Sequence, residues 1–371
     1  MGTKKNKIRV GVIFGGKSVE HEVSLQSAKN IMEAIDKNKY EIVPIGIDKN
    51  GRWLLNSSTR FLLNANDPKL IKLNNEANVA LALSPGEQNR QLQSSSDKIQ
   101  AKQIDVAFPV LHGTFGEDGT MQGLLKLLNI PFVGASVLGS AVGMDKDIQK
   151  RLLTAAGILT VNFLVFEKSS KINFKNTVKQ LGLPFFVKPA NSGSSIGISR
   201  VDNQKQFKSA VAKAFKYDRK ILIEEFIKGR ELECSVLGND KPIASIPGEI
   251  VVNNHDFYSY EAKYVDEKGA ILAIPAKLPK NIIKKIQNIA VKSFKTLCLE
   301  GMARVDFFLR NDNEVIVNEL NTIPGFTKIS MYPKLWEASG ISYKELIDRL
   351  IMLAIRRFNE EKKLKTSVDL S

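Results

Sequence analysis

Cysteine, histidine and long apolar runs are all scarce in this chain. Two cysteines in 371 residues, Cys234 and Cys298, cannot build a disulfide framework or a cysteine zinc site, and three scattered histidines add no ligand cluster. A reducing cytoplasm is the natural setting. No apolar run approaches the roughly 18 residues needed to cross a bilayer, so no membrane partner is expected. The lysines at positions 4, 5 and 7, ahead of Val10-Gly11-Val12-Ile13-Phe14, imitate a secretory signal, but the apolar part is too short and no small-x-small cleavage site follows. Met1-Gly2 imitates a myristoylation start, with Asn6 where Ser or Thr is wanted. Aromatic interleaving is missing from the basic clusters. The net charge of +15 is spread from Lys4 to Lys365, and Lys277, Lys280, Lys284, Lys285 and Arg356-Arg357 read as solvated helix faces. Nucleic acid is therefore not the expected partner; a phosphate-rich small ligand is.

What is present is enough apolar material, 43% of residues, for two or three cores. The pattern is α/β. An apolar strand at 8–14 precedes helical apolar spacing over 18–35 and a second strand from Tyr40 to Ile47; Asn50-Gly51 then turns into a hairpin at 52–55. Residues 56–100 are weakly patterned, and 84–100 reads as a loop or insertion. A third strand, 104–111, leads into His112-Gly113-Thr114-Phe115-Gly116-Glu117-Asp118-Gly119-Thr120 and a helix. Further on, helices are expected at 146–156, 203–215, 280–297 and 342–358. Strands are expected at 160–166, 184–188, 220–226, 232–238, 242–252 and 270–274.

Two glycine-rich stretches invite phosphate. Gly11-Val12-Ile13-Phe14-Gly15-Gly16-Lys17-Ser18 has the Walker A spacing, but Val12-Ile13-Phe14 continue the strand begun at Ile8 and cannot also wrap a phosphate. Gly15-Gly16 still make a tight turn before a helix that could receive an anion at its N-terminus, or an ammonium group on Glu20 and Glu22. In the second stretch, Phe185 to Ile198, an apolar strand ends at Lys188 and passes into a small-residue loop, Asn191-Ser192-Gly193-Ser194-Ser195. Its amides and hydroxyls could donate to phosphate oxygens, although an ordinary flexible Gly/Ser hairpin is the plain alternative. A following strand, Ile221 to Ile227, is placed to offer backbone groups to a base.

Near the end, two apolar runs flank Asn311-Asp312-Asn313-Glu314. If the loop is 311–314, Asp306 faces Glu319, with Cβ atoms about 5 Å apart. At an effective dielectric of about 20 the two carboxylates repel by roughly 3 kcal/mol, so something positive should sit between them. Asn321 shares their face. Three hard oxygen donors in one volume suit Mg²⁺, which takes few protein ligands; a solvent-facing acidic hairpin is the alternative.

Together these stretches resemble the D-alanine–D-alanine ligases of the ATP-grasp superfamily. The resemblance is carried, in order, by Gly15 to Leu25, His112 to Thr120, Met144-Asp145-Lys146, Lys188 to Gly197, Tyr258 to Tyr264 and Arg304 to Ser330. It implies a three-domain ATP-grasp architecture: a Rossmann-like N-terminal α/β domain over 1–135, a central subdomain over 136–231 and a C-terminal one over 232–371, with nucleotide between the last two. It implies an ATP-dependent ligase that phosphorylates the carboxylate of one D-alanine and lets the amine of a second displace phosphate, feeding peptidoglycan synthesis in the cytoplasm as a homodimer. The resemblance makes Glu22 the anchor for the first ammonium, with Ser194 and Tyr264. Lys146 and Lys188 hold phosphates, Ser195 covers them, and Lys263 reaches them from a loop around 255–268. Glu224 stands at the adenine side, Phe226 and Ile227 at the base, and Glu231 at the ribose. Asp306, Glu319 and Asn321 match ligands for two Mg²⁺, for which Mn²⁺ can substitute. Arg304 and the Gly325 amide form the oxyanion hole; Ser330 and Met331 line the second carboxylate site, with His112 nearby. His112 as a satisfied loop histidine and Phe226 as plain core are the alternatives. The chain departs at Met331, where part of the family has Leu, and at Glu225, where some have Lys; both positions vary in the family. Tyr264, which D-lactate-using relatives lack, favours an amine nucleophile.

Overall fold

The computed structural model describes residues 7–56, 61–65, 67, 70–74, 78–86, 91–94, 103–252, 270–311 and 313–365. The first sheet is built from β1 (Ile8–Gly15), β2 (Tyr40–Ile47), β3 (Trp53–Asn56), β6 (Asn78–Leu83), β7 (Leu92–Ser94) and β8 (Val106–Pro109), with the small pair β4 (Leu62–Leu63) and β5 (Lys72–Leu73) beside it. Its order is β7-β6-β3-β2-β1-β8. β1 runs parallel to both β2 and β8, as the expected strand–helix–strand opening requires. The weakly patterned stretch thus holds short strands, and the expected loop at 84–100 contains one of them, β7, paired with β6. β1 runs through Gly11 to Gly15, so the Walker A spacing is strand and not a phosphate loop. Gly15 ends it at φ +91°, where any Cβ would lie 2.2 Å from the Ile47 carbonyl oxygen, so only glycine makes this turn.

The second sheet is antiparallel, in the order β11-β10-β12-β9, from β9 (Phe163–Glu167), β10 (Phe185–Pro189), β11 (Ser199–Val201) and β12 (Lys220–Glu225). The third, also antiparallel, comprises β13 (Arg230–Gly238), β14 (Ile243–Ala244), β15 (Gly248–Val252), β16 (Ala270–Ala273), β17 (Gly301–Arg310) and β18 (Glu314–Asn321), in the order β16-β15-β13-β17-β18 with β14 beside β13. The strand expected at 242–252 is two strands. Pro247 has no N–H for the ladder, and Ser245 Oγ accepts from the Ser235 amide at 2.9 Å. The helix Lys280–Thr296 packs Ile282, Ile286, Ala290 and Phe294, spaced at i, i+4, i+8 and i+12, into the core of this sheet. At ~1.5–3 kcal/mol for each large side chain buried, that stripe is what docks it. The helix Tyr343–Glu361 bridges the first and third sheets, packing against β8, β17 and the helix His21–Ala34. Leu346, Ile347, Leu350 and Ile351 share one core with Val10, Phe14, Leu25 and Ile31, so the two ends of the chain close one hydrophobic unit.

Candidate active site

The β17–β18 turn is one residue shorter than the run Asn311 to Glu314 suggests, because Arg310 pairs with Glu314. An unbroken ladder from there would set Asp306 against Asn318 and send Glu319 to the opposite face. A β-bulge between Asp306 and Phe307 absorbs Asn318 and restores Asp306 opposite Glu319. The expected facing pair is therefore present, by a different route. β13 adds Glu233 opposite Asp306, making a row of three carboxylates across three strands.

The positive charge demanded by that row comes from side chains. Arg304 is bidentate to Asp306, Nε to Oδ1 and Nη2 to Oδ2, both 2.7 Å, and its Nε lies 2.9 Å from Glu233 Oε2. Asn321 Nδ2 donates to Asp306 Oδ2 at 3.0 Å. Lys146 Nζ lies 3.3 Å from Glu319 Oε2 and donates to Ser192 O at 2.7 Å, joining the hairpin to the serine loop. Burial pulls the Lys146 ammonium down, but Glu319, Glu224 and Glu117 together hold it above the usual lysine range.

Across the cleft, β10 and β12 bring Lys188 and Glu224 together, Nζ to Oε2 at 2.6 Å. Burial pushes the Glu224 carboxyl up, yet Lys150 and Lys188 outweigh it and hold the group below the usual carboxylate range. Glu224 Oε1 is buried and, among the described residues, receives no aligned hydrogen bond. Lys188, Ser195, Glu224, Phe226, Ile227, Glu231, Glu233, Asp306 and Glu319 all line this one cleft. Phe226 is half-buried, with the Arg200 guanidinium 5.3 Å from its ring centre, so it is a cleft wall and not plain core.

Ser194 and Ser195 both adopt left-handed backbone, φ +47° and +59°, a strained arrangement for serine of the kind found at ligand loops. The Ser194 hydroxyl donates to Glu20 Oε1. A Cβ on Gly193 would lie 2.7 Å from Glu20 Oε2, so glycine there lets the carboxylate approach the loop. This corrects the expectation for Glu22, whose Oε1 instead takes Lys49 Nζ at 2.6 Å on the half-exposed side of the helix. The helix begins at His21 with Glu20 at its N-cap. Two positions apart on a helix is about 200° of rotation, so the two glutamates cannot face the same loop.

His112 is buried; its Nδ1 must donate to the Ile323 carbonyl at 3.1 Å, which leaves Nε2 to accept from Ser27 Oγ at 3.3 Å. Burial lowers its basicity and keeps the ring neutral. Ser27 in turn accepts from the Phe326 amide at 3.2 Å, which fixes the segment carrying Gly325. Glu117 caps the same segment, accepting from the Ile323 amide at 3.1 Å and the Gly113 amide at 2.6 Å; burial, then Glu20, pushes its carboxyl up to about 8. A Cβ on Gly325 would lie 2.7 Å from Ser330 Oγ, which accepts from the Thr327 amide at 3.0 Å. Met331 begins the next helix and is buried with Ile250 and Leu335. Lys263, Tyr264 and the loop around 255–268 lie outside the described residues.

Two family models match this chain in sequence order, the D-ala D-ala ligase N-terminus over residues 9–135 and the D-ala D-ala ligase C-terminus over 152–352. The chain belongs to the D-alanine–D-alanine ligase family. It is 57% identical over 364 residues to the D-alanine–D-alanine ligase of Shouchella clausii, covering 98% of both chains. Among solved structures, the D-alanine–D-alanine ligase of Coxiella burnetii superposes with a TM-score of 0.83 at 40% identity, covering 96% of each chain. The VanG D-Ala:D-Ser ligase of Enterococcus faecalis gives 0.83 at 36%, over 94% of this chain and 100% of that one. The Bacillus anthracis ligase complexed with ATP gives 0.71 at 30%, over 95% and 99%. Among the described residues, no helix is long and apolar enough to cross a membrane.

Proposed function

We propose that this chain joins two D-alanine molecules into D-alanyl-D-alanine at the expense of ATP, through an acylphosphate, for peptidoglycan synthesis. The observation that carries the reading is the cleft in which Lys188 and Glu224 of one sheet meet Asp306 and Glu319 of another. A carboxylate is a poor electrophile. In the first half-reaction a carboxylate oxygen of one D-alanine attacks the γ-phosphorus and ADP leaves. In the second, the amine of the other D-alanine attacks the carbonyl carbon, loses a proton, and inorganic phosphate departs.

The protein's work is positioning and charge neutralisation. Lys146 and Lys188 hold phosphate oxygens, and the Ser192–Ser195 loop covers them. Glu20 anchors the first ammonium, positioned by Ser194. Arg304 and the Gly325 amide stabilise the oxyanion of the tetrahedral intermediate. Ser330 receives the second carboxylate. Lys263 and Tyr264 complete the set by resemblance. Among the described residues, no three acidic, histidine or cysteine side chains could hold a metal by themselves. Asp306, Glu319 and the Asn321 amide form the sparser hard-oxygen set that suits Mg²⁺, with water and phosphate completing its shell. When bound there, Mg²⁺ would neutralise charge on the transferring phosphoryl group. We also read the enzyme as a cytoplasmic homodimer, with units at 1–135, 136–231 and 232–371.

A coupled phosphate-release assay tests the function. Phosphate should appear only when D-alanine, ATP and Mg²⁺ are all present, and D-lactate or D-serine should not match D-alanine as second substrate. Release without dependence on D-alanine would sink the proposal.

A further inference from the structure

Lys150 has no part in the reading above. Its side chain is fully buried, its Nζ lies 3.3 Å from Glu224 Oε1, and it donates to the Asn318 carbonyl at 2.9 Å. These partners belong to different sheets. Glu224 lies on β12 at the nucleotide edge, and Asn318 is the extra residue of the bulge that brings Glu319 opposite Asp306. The same helix, Lys146–Ala155, contributes Gln149, whose amide pairs both ways with the Leu320 backbone, Nε2 to O at 3.1 Å and N to Oε1 at 2.9 Å. Lys146 reaches Glu319 itself. Positions 146, 149 and 150 share one helix face, so one rigid element grips 318, 319 and 320 in turn.

Core packing alone does not account for a buried ammonium here. An apolar side chain of the same length would fill the space without the cost of desolvating a charge. The charge is explained by what it joins, a carboxylate of one site and a bulge carbonyl of the other.

We propose that Lys150 is a positioning residue that ties Glu224 to the Asn318 bulge and so fixes the nucleotide edge relative to the carboxylates of the metal hairpin. What occupies those two places rests on the ligase reading; the coupling between them does not.

The test uses the full-length chain with Lys150→Met, calorimetric titration with ADP in the presence and absence of Mg²⁺, and the D-alanine KM. Lys188 remains beside Glu224, so the variant keeps one countercharge. The ADP Kd with Mg²⁺ should rise at least about tenfold while the D-alanine KM stays within about threefold. Combined with Glu224→Gln, the effects on Kd should be less than additive. An ADP Kd within about twofold of wild type, or full additivity, overturns the proposal, even where the melting temperature falls. If Lys150→Met does not fold, Lys150→Gln is titrated in the same way; if neither folds, the lysine serves the fold and the proposal is overturned. Wild-type protein runs alongside in the phosphate-release assay. If it shows no D-alanine dependence the ligase reading falls, while the ADP cycle still decides the role of Lys150.

Discussion

Substituting Glu20 and Glu22 separately by glutamine distinguishes the two carboxylates at the start of the first helix. Glu20 is buried, accepts from Ser194 and lies against Gly193 in the covering loop. Glu22 is paired with Lys49, and 36% of its side chain is exposed. Removing one charge from a buried, hydrogen-bonded ion pair costs ~2–5 kcal/mol. At ~1.4 kcal/mol per tenfold, Glu20→Gln should lower kcat/KM for the first D-alanine roughly 30-fold to 3,000-fold. An exposed ion pair is worth ~0–1 kcal/mol, so Glu22→Gln should leave kcat/KM within about fivefold. The assay is phosphate release against D-alanine concentration, with ATP saturating. Ser194→Ala should weaken the effect of Glu20→Gln in a double-mutant cycle, because the hydroxyl acts through the carboxylate. Greater damage from Glu22→Gln than from Glu20→Gln would refute the reasoning from helix geometry and restore Glu22 as the anchor.

Glu319→Gln should reduce Mg²⁺-dependent turnover at least ~100-fold, since a metal contributes several kcal/mol to a phosphoryl-transfer transition state; a wild-type rate at ordinary Mg²⁺ would refute the metal role. Glu117 keeps its proton to about pH 8 when folded, against an ordinary value of 4.5, so the folded state binds the extra proton between those limits and stability falls as pH rises through them. Unfolding free energies from urea titrations across that window should fall more steeply for wild type than for Glu117→Gln, by up to ~1.4 kcal/mol per pH unit, and equal slopes would remove the assignment. Tyr264→Phe should raise D-lactate use relative to D-alanine near neutral pH; chromatography of the products would show an unchanged ratio if the tyrosine plays no part.

Periodicity reveals elements here better than it reveals their joins. β1, β2 and the helix Lys280–Thr296 stand close to where apolar spacing puts them, because burial of a face or stripe is what forms them. Pro247 and the short pair β4–β5 are local events that interrupt a weak pattern. The site shows the same division. Strand alternation puts Glu319 and Asn321 on one face, but the turn residues alone do not set Asp306 opposite Glu319; the bulge does. Glu20 was not separable from Glu22, since both are acidic and only the first residue of the helix decides which one faces the loop. Lys150 gave no signal at all. A lysine four residues after Lys146 in an amphipathic helix reads as solvated, and only the tertiary approach of β12 and β18 supplies the two acceptors that make its burial tolerable. The bulge makes the point sharpest. The four-residue turn inferred from Asn311 to Glu314 was one residue too long, and Asn318 adds one residue on the strand, so the two differences cancel at Asp306 and Glu319. The bulged stretch is gripped from outside the hairpin, by Lys150 at the Asn318 carbonyl and Gln149 at the Leu320 backbone, and contacts so distant in sequence leave no local pattern to read.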